Sequence, residues 1–341
     1  MVFGRFFDSL RSQLRAPTAS KMTTTKFVTL CWLWYNWVMS GQSFAELSKI
    51  SKRIELADYL VVAQLYLRDN FLLEKPLSAN DIKPRLLGHW GTCHGINVAY
   101  ANLKHYFDGD FTFILGPGHG FPALQANLFL DGELLKFDQN ATLDKNGIAY
   151  LCQNFSWPDG FPSHASPFTP GVIVEGGELG YALANAYGLS LGHPEKTIAV
   201  LIGDGELETA TALDSLNLNS LCSGAKNGKV LPILHLNGYK ISAPSLYARR
   251  SERELNEMLR GFGFTPIWID GDRPEVFQTA LHKTAEAPFY ILKTAKGEGG
   301  PNRHQDSHQI PLKNPASNAE ELAELEDWLR SYHFKAEAIN D

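Results

Sequence analysis

Cysteine is scarce in this chain: four in 341 residues, Cys31, Cys93, Cys152 and Cys222, with no CxxC pair. That scatter excludes a zinc ribbon and a disulfide framework, and it suits a reducing, cytoplasmic setting. Clustered positive charge is also lacking. Lys plus Arg total 31 against 37 Asp plus Glu, a net of −6, with no basic stretch longer than a pair or two. Sequence-independent nucleic-acid binding therefore has no electrostatic footprint here. Nor is there a long apolar run. The nearest approach, Phe27 to Met39 (FVTLCWLWYNWVM), is about a dozen uncharged residues, short of the roughly 20 that a membrane-spanning helix needs. Lys21 and Lys26 precede it, but the roughly 26 mixed residues before the run and its tryptophans are unlike a secretion signal. It reads as a core or interface segment in which Trp32, Trp34 and Trp37 would bury considerable area. Hydrophobic residues at 44%, aromatics at 11% and charges at 20% exclude disordered, collagen-like and coiled-coil chains.

What is present is an alternation. Apolar residues at helical spacing run from Phe44 to Leu67 (Leu47, Ile50, Ile54, Leu56, Leu60, Val61, Leu65), and a second helical stretch covers Gly95 to Leu103. Five short β-favouring runs follow, each ending in glycine or a polar turn: 111–118, 197–205, 231–238, 264–271 and 289–297. Helical segments are expected at Gly177–Leu191, Glu206–Leu221, Ser251–Leu259 and Pro274–Glu286, and an acidic amphipathic helix at Glu320–Tyr332. Alternation at this spacing makes right-handed βαβ units, hence an α/β fold with a mainly parallel sheet and helices on both faces. Strands covered on both faces read as unbroken apolar runs, as these do. The long loop Gly160 to Gly171 carries a histidine and runs into a glycine-rich turn, which marks a site loop.

The sharpest local signal is Gly203-Asp204-Gly205-Glu206 at the end of one apolar strand and Asn237-Gly238 at the end of the next. Adjacent carboxyl ends of parallel strands border one crevice, where ligands sit. A carboxylate and an amide oxygen are hard ligands, and a backbone carbonyl just past Asn237 offers a third, a donor set suited to Mg²⁺ that takes its remaining ligands from phosphate and water. The glycines beside Asp204 let the backbone turn and a diphosphate approach. Alone, GDG is an ordinary strand-to-helix turn. Paired with the strand-terminal Asn-Gly, it resembles the cofactor motif of thiamine diphosphate enzymes.

Three further stretches narrow the likeness. RLLGHWGTCHGIN (Arg85 to Asn97), GPGHGFPAL (Gly116 to Leu124) and GFPSHASPFTPGVIVEGGELGYALANAYG (Gly160 to Gly188) resemble the phosphoketolases in order and spacing, as does VLPILHLNGYKI (Val230 to Ile241). The resemblance runs from about Ile54 to Tyr332. It implies a thiamine diphosphate-binding fold, with residues 51–341 as the diphosphate-binding domain and residues 1–50 as an aromatic-rich extension outside it.

By the same resemblance Asp204, Asn237 and the Tyr239 carbonyl would hold Mg²⁺. Gly177, Glu178, Leu179, Gly203, Gly205 and Glu206 would contact thiamine diphosphate, the first three from the start of a helix whose free N–H groups suit an anion. His89, His119 and His164 match active-site histidines for recognising the donor's hydroxyls and moving protons. Lys296 and His308 match a later basic pair over the diphosphate and the substrate entrance. The implied reaction cleaves a ketose phosphate, such as xylulose 5-phosphate, at a carbon–carbon bond, giving an aldose phosphate and a two-carbon unit released as acetyl phosphate. A transketolase-like relative would pass that unit to an aldose instead.

The chain departs from the family pattern at His94 (usually proline), Phe121 (usually glycine), Val174 (usually histidine) and Ala210 to Ser220, which puts the usual sugar in doubt. It also lacks the pyrimidine-binding and C-terminal domains, and with them the glutamate that activates the cofactor. A second subunit carrying those parts is expected, two copies of each chain assembling around the cofactor. A metal hydrolase built on His89, His119 and His164, and a non-catalytic scaffold, are the competing readings.

Overall fold

The computed structural model describes residues 44–222, 226–271 and 273–335; the aromatic run Phe27 to Met39 lies outside them. Helix α1 (Phe44–Tyr66) follows the apolar spacing read from the sequence, burying Ile50, Ile54, Leu60, Val61 and Leu65. Helix α2 (Cys93–Phe107) starts two residues earlier than the expected stretch and continues beyond it. After β1 (Thr112–Leu115) come two helices that no periodicity announced, α3 (Phe121–Leu130) and α4 (Lys145–Asn154). Helix α3 is buried on nearly every side, so it has no amphipathic stripe to read. Asp144 starts α4 by accepting from the N–H groups of Asn146 and Gly147 at 2.8 and 3.0 Å.

Helix α5 (Ala182–Gly192) leads into β2 (Thr197–Gly203), then the short α6 (Ala210–Ser215) and β3 (Lys229–Leu236). Past β3 a two-stranded antiparallel ribbon, β4 (Tyr239–Lys240) and β5 (Ala243–Pro244), folds over the strand tips. Helix α7 (Glu252–Gly261), β6 (Thr265–Asp270), α8 (Pro274–Leu281), β7 (Pro288–Lys293) and α9 (Ala319–Ser331) complete the order. Ser251 and Glu254 form a reciprocal cap at the start of α7.

The main sheet runs β1-β2-β3-β7-β6, every pair parallel. Side chains alternate along its strands between two separate cores. In β2, Ile198, Val200 and Ile202 join Leu183, Ala186 and Tyr187 of α5 and Leu255 and Leu259 of α7. Ala199 and Leu201 join the opposite core, with α1, α2, α3, α8 and Trp328 of α9. Helices therefore cover both faces, as the apolar runs required, and all five strands point their carboxyl ends at one edge. Among the described residues no helix is long and apolar enough to cross a membrane.

Two expected helix starts shift. The segment 177–181 is loop, with α5 beginning at Ala182. Residues 206–209 are turn, with Thr209 capping α6 through a 3.3 Å bond from the Ala212 N–H. Because the site hangs from the ends of β2 and β3, truncating their core is expected to loosen it. Ile202→Ala should lower the unfolding free energy by about 2–5 kcal/mol, read as a lower urea midpoint with an unchanged slope.

Candidate active site

Six loops converge at the carboxyl edge of the sheet. Asp204, one residue past β2, is 2% exposed. Its carboxylate accepts from the Gly238 N–H at 2.8 Å and Ser245 Oγ at 2.8 Å through Oδ2, and from the Gly205 N–H at 2.9 Å through Oδ1. These bonds tie the tip of β2 to the tip of β3 and to the ribbon. All three donors are neutral, and burial pushes the Asp204 carboxyl up to about 6. The neutral donors and the nearby Lys296 ammonium oppose that rise, and a further cation beside the carboxylate would favour its charged form. Asn237 stands at the neighbouring tip, and its Oδ1 accepts from the Tyr239 N–H at 3.1 Å. The Tyr239 carbonyl is turned toward Lys296, whose Nζ lies 3.3 Å away.

Lys296, also 2% exposed, donates to the Ile241 carbonyl at 2.7 Å and stands 3.2 Å from His308 Nδ1. Burial lowers its ammonium to about 8. Nothing larger than glycine fits at Gly91, where a Cβ would meet the Ser307 carbonyl at 2.5 Å and Lys296 Cε at 3.0 Å. The loop that carries His89 is thereby pressed onto the loop that carries Lys296 and His308.

The four histidines singled out from the sequence meet here. The His89 ring lies 5.0 Å from His119, 5.5 Å from His164 and 4.9 Å from His308, and His119 lies 5.1 Å from His308. His119 sits on a single helical turn (Gly118–Gly120) between β1 and α3. Ser163 Oγ is 3.1 Å from His164 Nδ1. Burial, reinforced by neighbouring imidazoles and Lys296, lowers His89 to about 3, and His119 falls well below its usual value. Burial also lowers His164, and takes His308 to about 4 with the help of Lys296. The cluster is thus neutral near pH 7, each ring able to donate one proton and accept another. His89 Nδ1 is buried without a hydrogen-bond partner in the protein, a polar atom left for a ligand. No group of three or more His, Cys, Asp or Glu among the described residues is arranged to hold a metal.

Gly177, Glu178 and Leu179 lie exposed in the loop before α5. Glu206 behaves differently from an outward-facing residue. It is buried, and its carboxylate accepts from the N–H groups of Gly203 at 3.1 Å and Gly180 at 3.2 Å, with Ala182 N–H a further donor. It therefore occupies the N-terminus of α5, the position expected for a free anion site. Burial raises Glu206 to about 7 against those donors. Gly203 and Gly205 flank Asp204, and a Cβ on Gly205 would lie 2.8 Å from Lys240 Cβ.

The departures from the family pattern do not enter the histidine cluster. Phe121 is fully buried in the core against α1 and α2, and Val174 packs on the core beneath α5. His94 Nδ1 bonds Asp58 of α1 at 2.7 Å. Residues missed in the sequence are His235, Thr92, Thr294 and Ser245. Only His235 carried a signal, a lone polar residue inside an apolar strand.

The carboxyl edge of this parallel sheet thus carries a buried carboxylate and an amide on adjacent strand tips, with a buried lysine and a group of neutral histidines on the loops around them. A family model described as XFP N-terminal domain matches residues 42–287. The chain belongs to the phosphoketolase family, matched over the family's N-terminal domain. It is 43% identical over 313 residues to a probable phosphoketolase of Rhodopseudomonas palustris (strain HaA2), covering 81% of this chain and 39% of that protein. It is 40% identical over 321 residues to probable phosphoketolase 2 of a Nostoc species, covering 84% and 40%. The fold matches transketolase from Campylobacter jejuni (TM-score 0.62, 18% identity, 88% of this chain and 46% of that one). It also matches transketolase from Leishmania mexicana (TM-score 0.60, 20% identity, 86% and 45%). The chain spans about two fifths of the length of these curated relatives.

Two outcomes test the site's physics. His89 and His119 stay neutral in the fold while their unfolded counterparts charge below about pH 6.5. The unfolded state then binds more protons, so stability falls as pH drops, by about 1.4 kcal/mol per pH unit for each such histidine between pH 5.5 and 4.5. Urea unfolding at those two pH values should show His89→Asn with a slope shallower by about that amount. Separately, a Cβ on Gly118 would sit 2.1 Å from the Gly176 carbonyl oxygen. Gly118→Ala should part the His119 and Gly176 loops and cost about 1–3 kcal/mol, read by thermal unfolding.

Proposed function

We propose that this chain is the diphosphate- and Mg²⁺-holding part of a thiamine diphosphate-dependent phosphoketolase-type enzyme that cleaves a ketose phosphate such as xylulose 5-phosphate to an aldose phosphate and acetyl phosphate. The observation that supports this reading is Asp204: a buried carboxylate hydrogen-bonded by neutral donors, with its pKa raised by burial, beside Asn237 on the next strand tip. That arrangement fits a divalent cation. Asp204, Asn237 and the Tyr239 carbonyl would hold it, and Gly203, Gly205 and the exposed loop Gly177 to Leu179 would border the diphosphate. Thiamine diphosphate supplies, when bound, a stabilised carbanion for carbon–carbon cleavage.

The chain's own residues supply the rest of this half-site. His119, His164 and His308 are neutral imidazoles whose ring centres lie 4.9–5.5 Å from that of His89, itself neutral, and the four are able to bind sugar hydroxyls and shuttle their protons. Lys296 adds positive charge toward phosphate. Glu206 works from behind, fixing the α5 loop to the β2 tip. In this reading the pyrimidine-binding and C-terminal parts, with the glutamate that activates the cofactor, come from a second subunit, and two copies of each chain assemble.

Titration calorimetry of the chain with Mg²⁺ and thiamine diphosphate, alone and with that subunit, tests the binding. Heat that appears only when both ligands are present supports the reading, and its absence in both settings favours a non-catalytic scaffold. Ser245→Ala removes a hydrogen bond behind Asp204 and should weaken Mg²⁺ by about 10-fold. For the assembled enzyme, xylulose 5-phosphate with inorganic phosphate should yield acetyl phosphate. A longer ketose phosphate, formed when ribose 5-phosphate is added, would instead make it a transferase.

A further inference from the structure

From Leu231 to Leu236, β3 is apolar except for His235, which is 1% exposed. A polar ring inside a sheet covered on both faces is costly unless both nitrogens find partners. Both do. His235 Nδ1 lies 3.1 Å from Thr92 Oγ1 and Nε2 lies 2.8 Å from Thr294 Oγ1. A neutral imidazole has one donor and one acceptor, so one hydroxyl donates to the ring while the other accepts from it.

The three partners belong to three segments, and each segment carries a site residue. Thr92 closes the loop that bears His89, His235 leads to Asn237, and Thr294 leads to Lys296. Two further observations show that the sequence around the ring is shaped to it. Thr92 is the N-cap residue of α2, yet its side chain makes no capping bond and turns to the imidazole. Gly95, in the first turn of α2, lies against the ring so closely that a Cβ there would come within 2.0 Å of Nε2.

We propose that His235 is a positioning residue, a two-ended strap that sets the spacing between the His89 loop, the Asn237 strand tip and the Lys296 loop. What is positioned rests on the functional reading above; the strap itself does not.

Valine at either threonine removes a hydroxyl with little change of shape, and serine keeps the hydroxyl. Hydrogen exchange of the full chain, followed by mass spectrometry over residues 88–97, 234–241 and 293–298, reads the three segments. Thr92→Val and Thr294→Val should each speed exchange in all three by about 5-fold, the worth of one hydrogen bond, while Thr92→Ser and Thr294→Ser match the wild type. The double valine variant should show less than the product of the single effects, because both bonds serve one strap. A rise confined to the substituted segment, or serine variants as perturbed as valine ones, overturns the proposal. Where a valine variant does not fold, two-bond ¹H–¹⁵N spectra of the histidine-labelled wild type decide: one fixed neutral tautomer at His235 supports the strap, and averaging of two overturns it. Titrating the same samples with Mg²⁺ and thiamine diphosphate separates the claims. Coupled exchange without ligand binding keeps the strap and loses the functional reading. Ligand binding with uncoupled exchange does the reverse.

Discussion

One carboxylate organises the functional edge of this molecule. Asp204 leaves the end of β2 and bonds the Gly238 N–H at the end of β3 and the Ser245 hydroxyl beyond the ribbon. Parallel strands give no turn between neighbouring tips, since each is reached only after a full crossover. The sheet ladder holds the tips up to the Asp204 N–H, which donates to the His235 carbonyl at 3.2 Å, and the buried carboxylate extends that tie to Gly238 and Ser245. The same anion that fixes the backbone also feels the buried Lys296 ammonium, so one carboxylate couples the strand tips to the charge of the Lys296 loop. Structure and expected chemistry thus share one atom group, so a change at Asp204 cannot affect one without the other.

Around that centre the loops are locked by close approach and by buried side chains that face backbone. Gly118 meets Gly176, Gly116 meets the Glu206 carboxylate, and Gly91 meets Ser307 and Lys296. Glu206 draws the N–H groups of Gly203 and Gly180 onto one carboxylate, so the strand tip and the start of α5 move as a unit. The histidines then need no hydrogen bonds to each other. Their grouping follows from loop placement, and their neutrality follows from burial.

Much of this was legible in the sequence, for identifiable reasons. Apolar runs such as TIAVLIG announced strands buried on both faces, and the pairing of Asp204 with Asn237 on successive tips located the crevice. The likeness to phosphoketolases brought His89, His119, His164, Lys296 and His308 onto one site, and the structure gathers all five there. Other features were silent. Helix α3 is apolar all round and so has no period. The start of α5 was misplaced because Glu206, remote in sequence, takes the place of a local cap. Phe121 stands where the family usually has glycine, and its ring is buried in the main core. Ser245 reaches Asp204 only because the ribbon folds back, a geometry that no local pattern encodes.

In the proposed function the Asp204 and Asn237 tips bind a metal diphosphate as one unit. Manganese, a spectroscopic stand-in for magnesium, measures this directly through its electron paramagnetic resonance signal during titration of the chain with and without thiamine diphosphate. One ion per chain is expected, bound far more tightly with thiamine diphosphate than without, and no such ion in Asp204→Asn. Binding that ignores the diphosphate, or that survives Asp204→Asn unchanged, would contradict it.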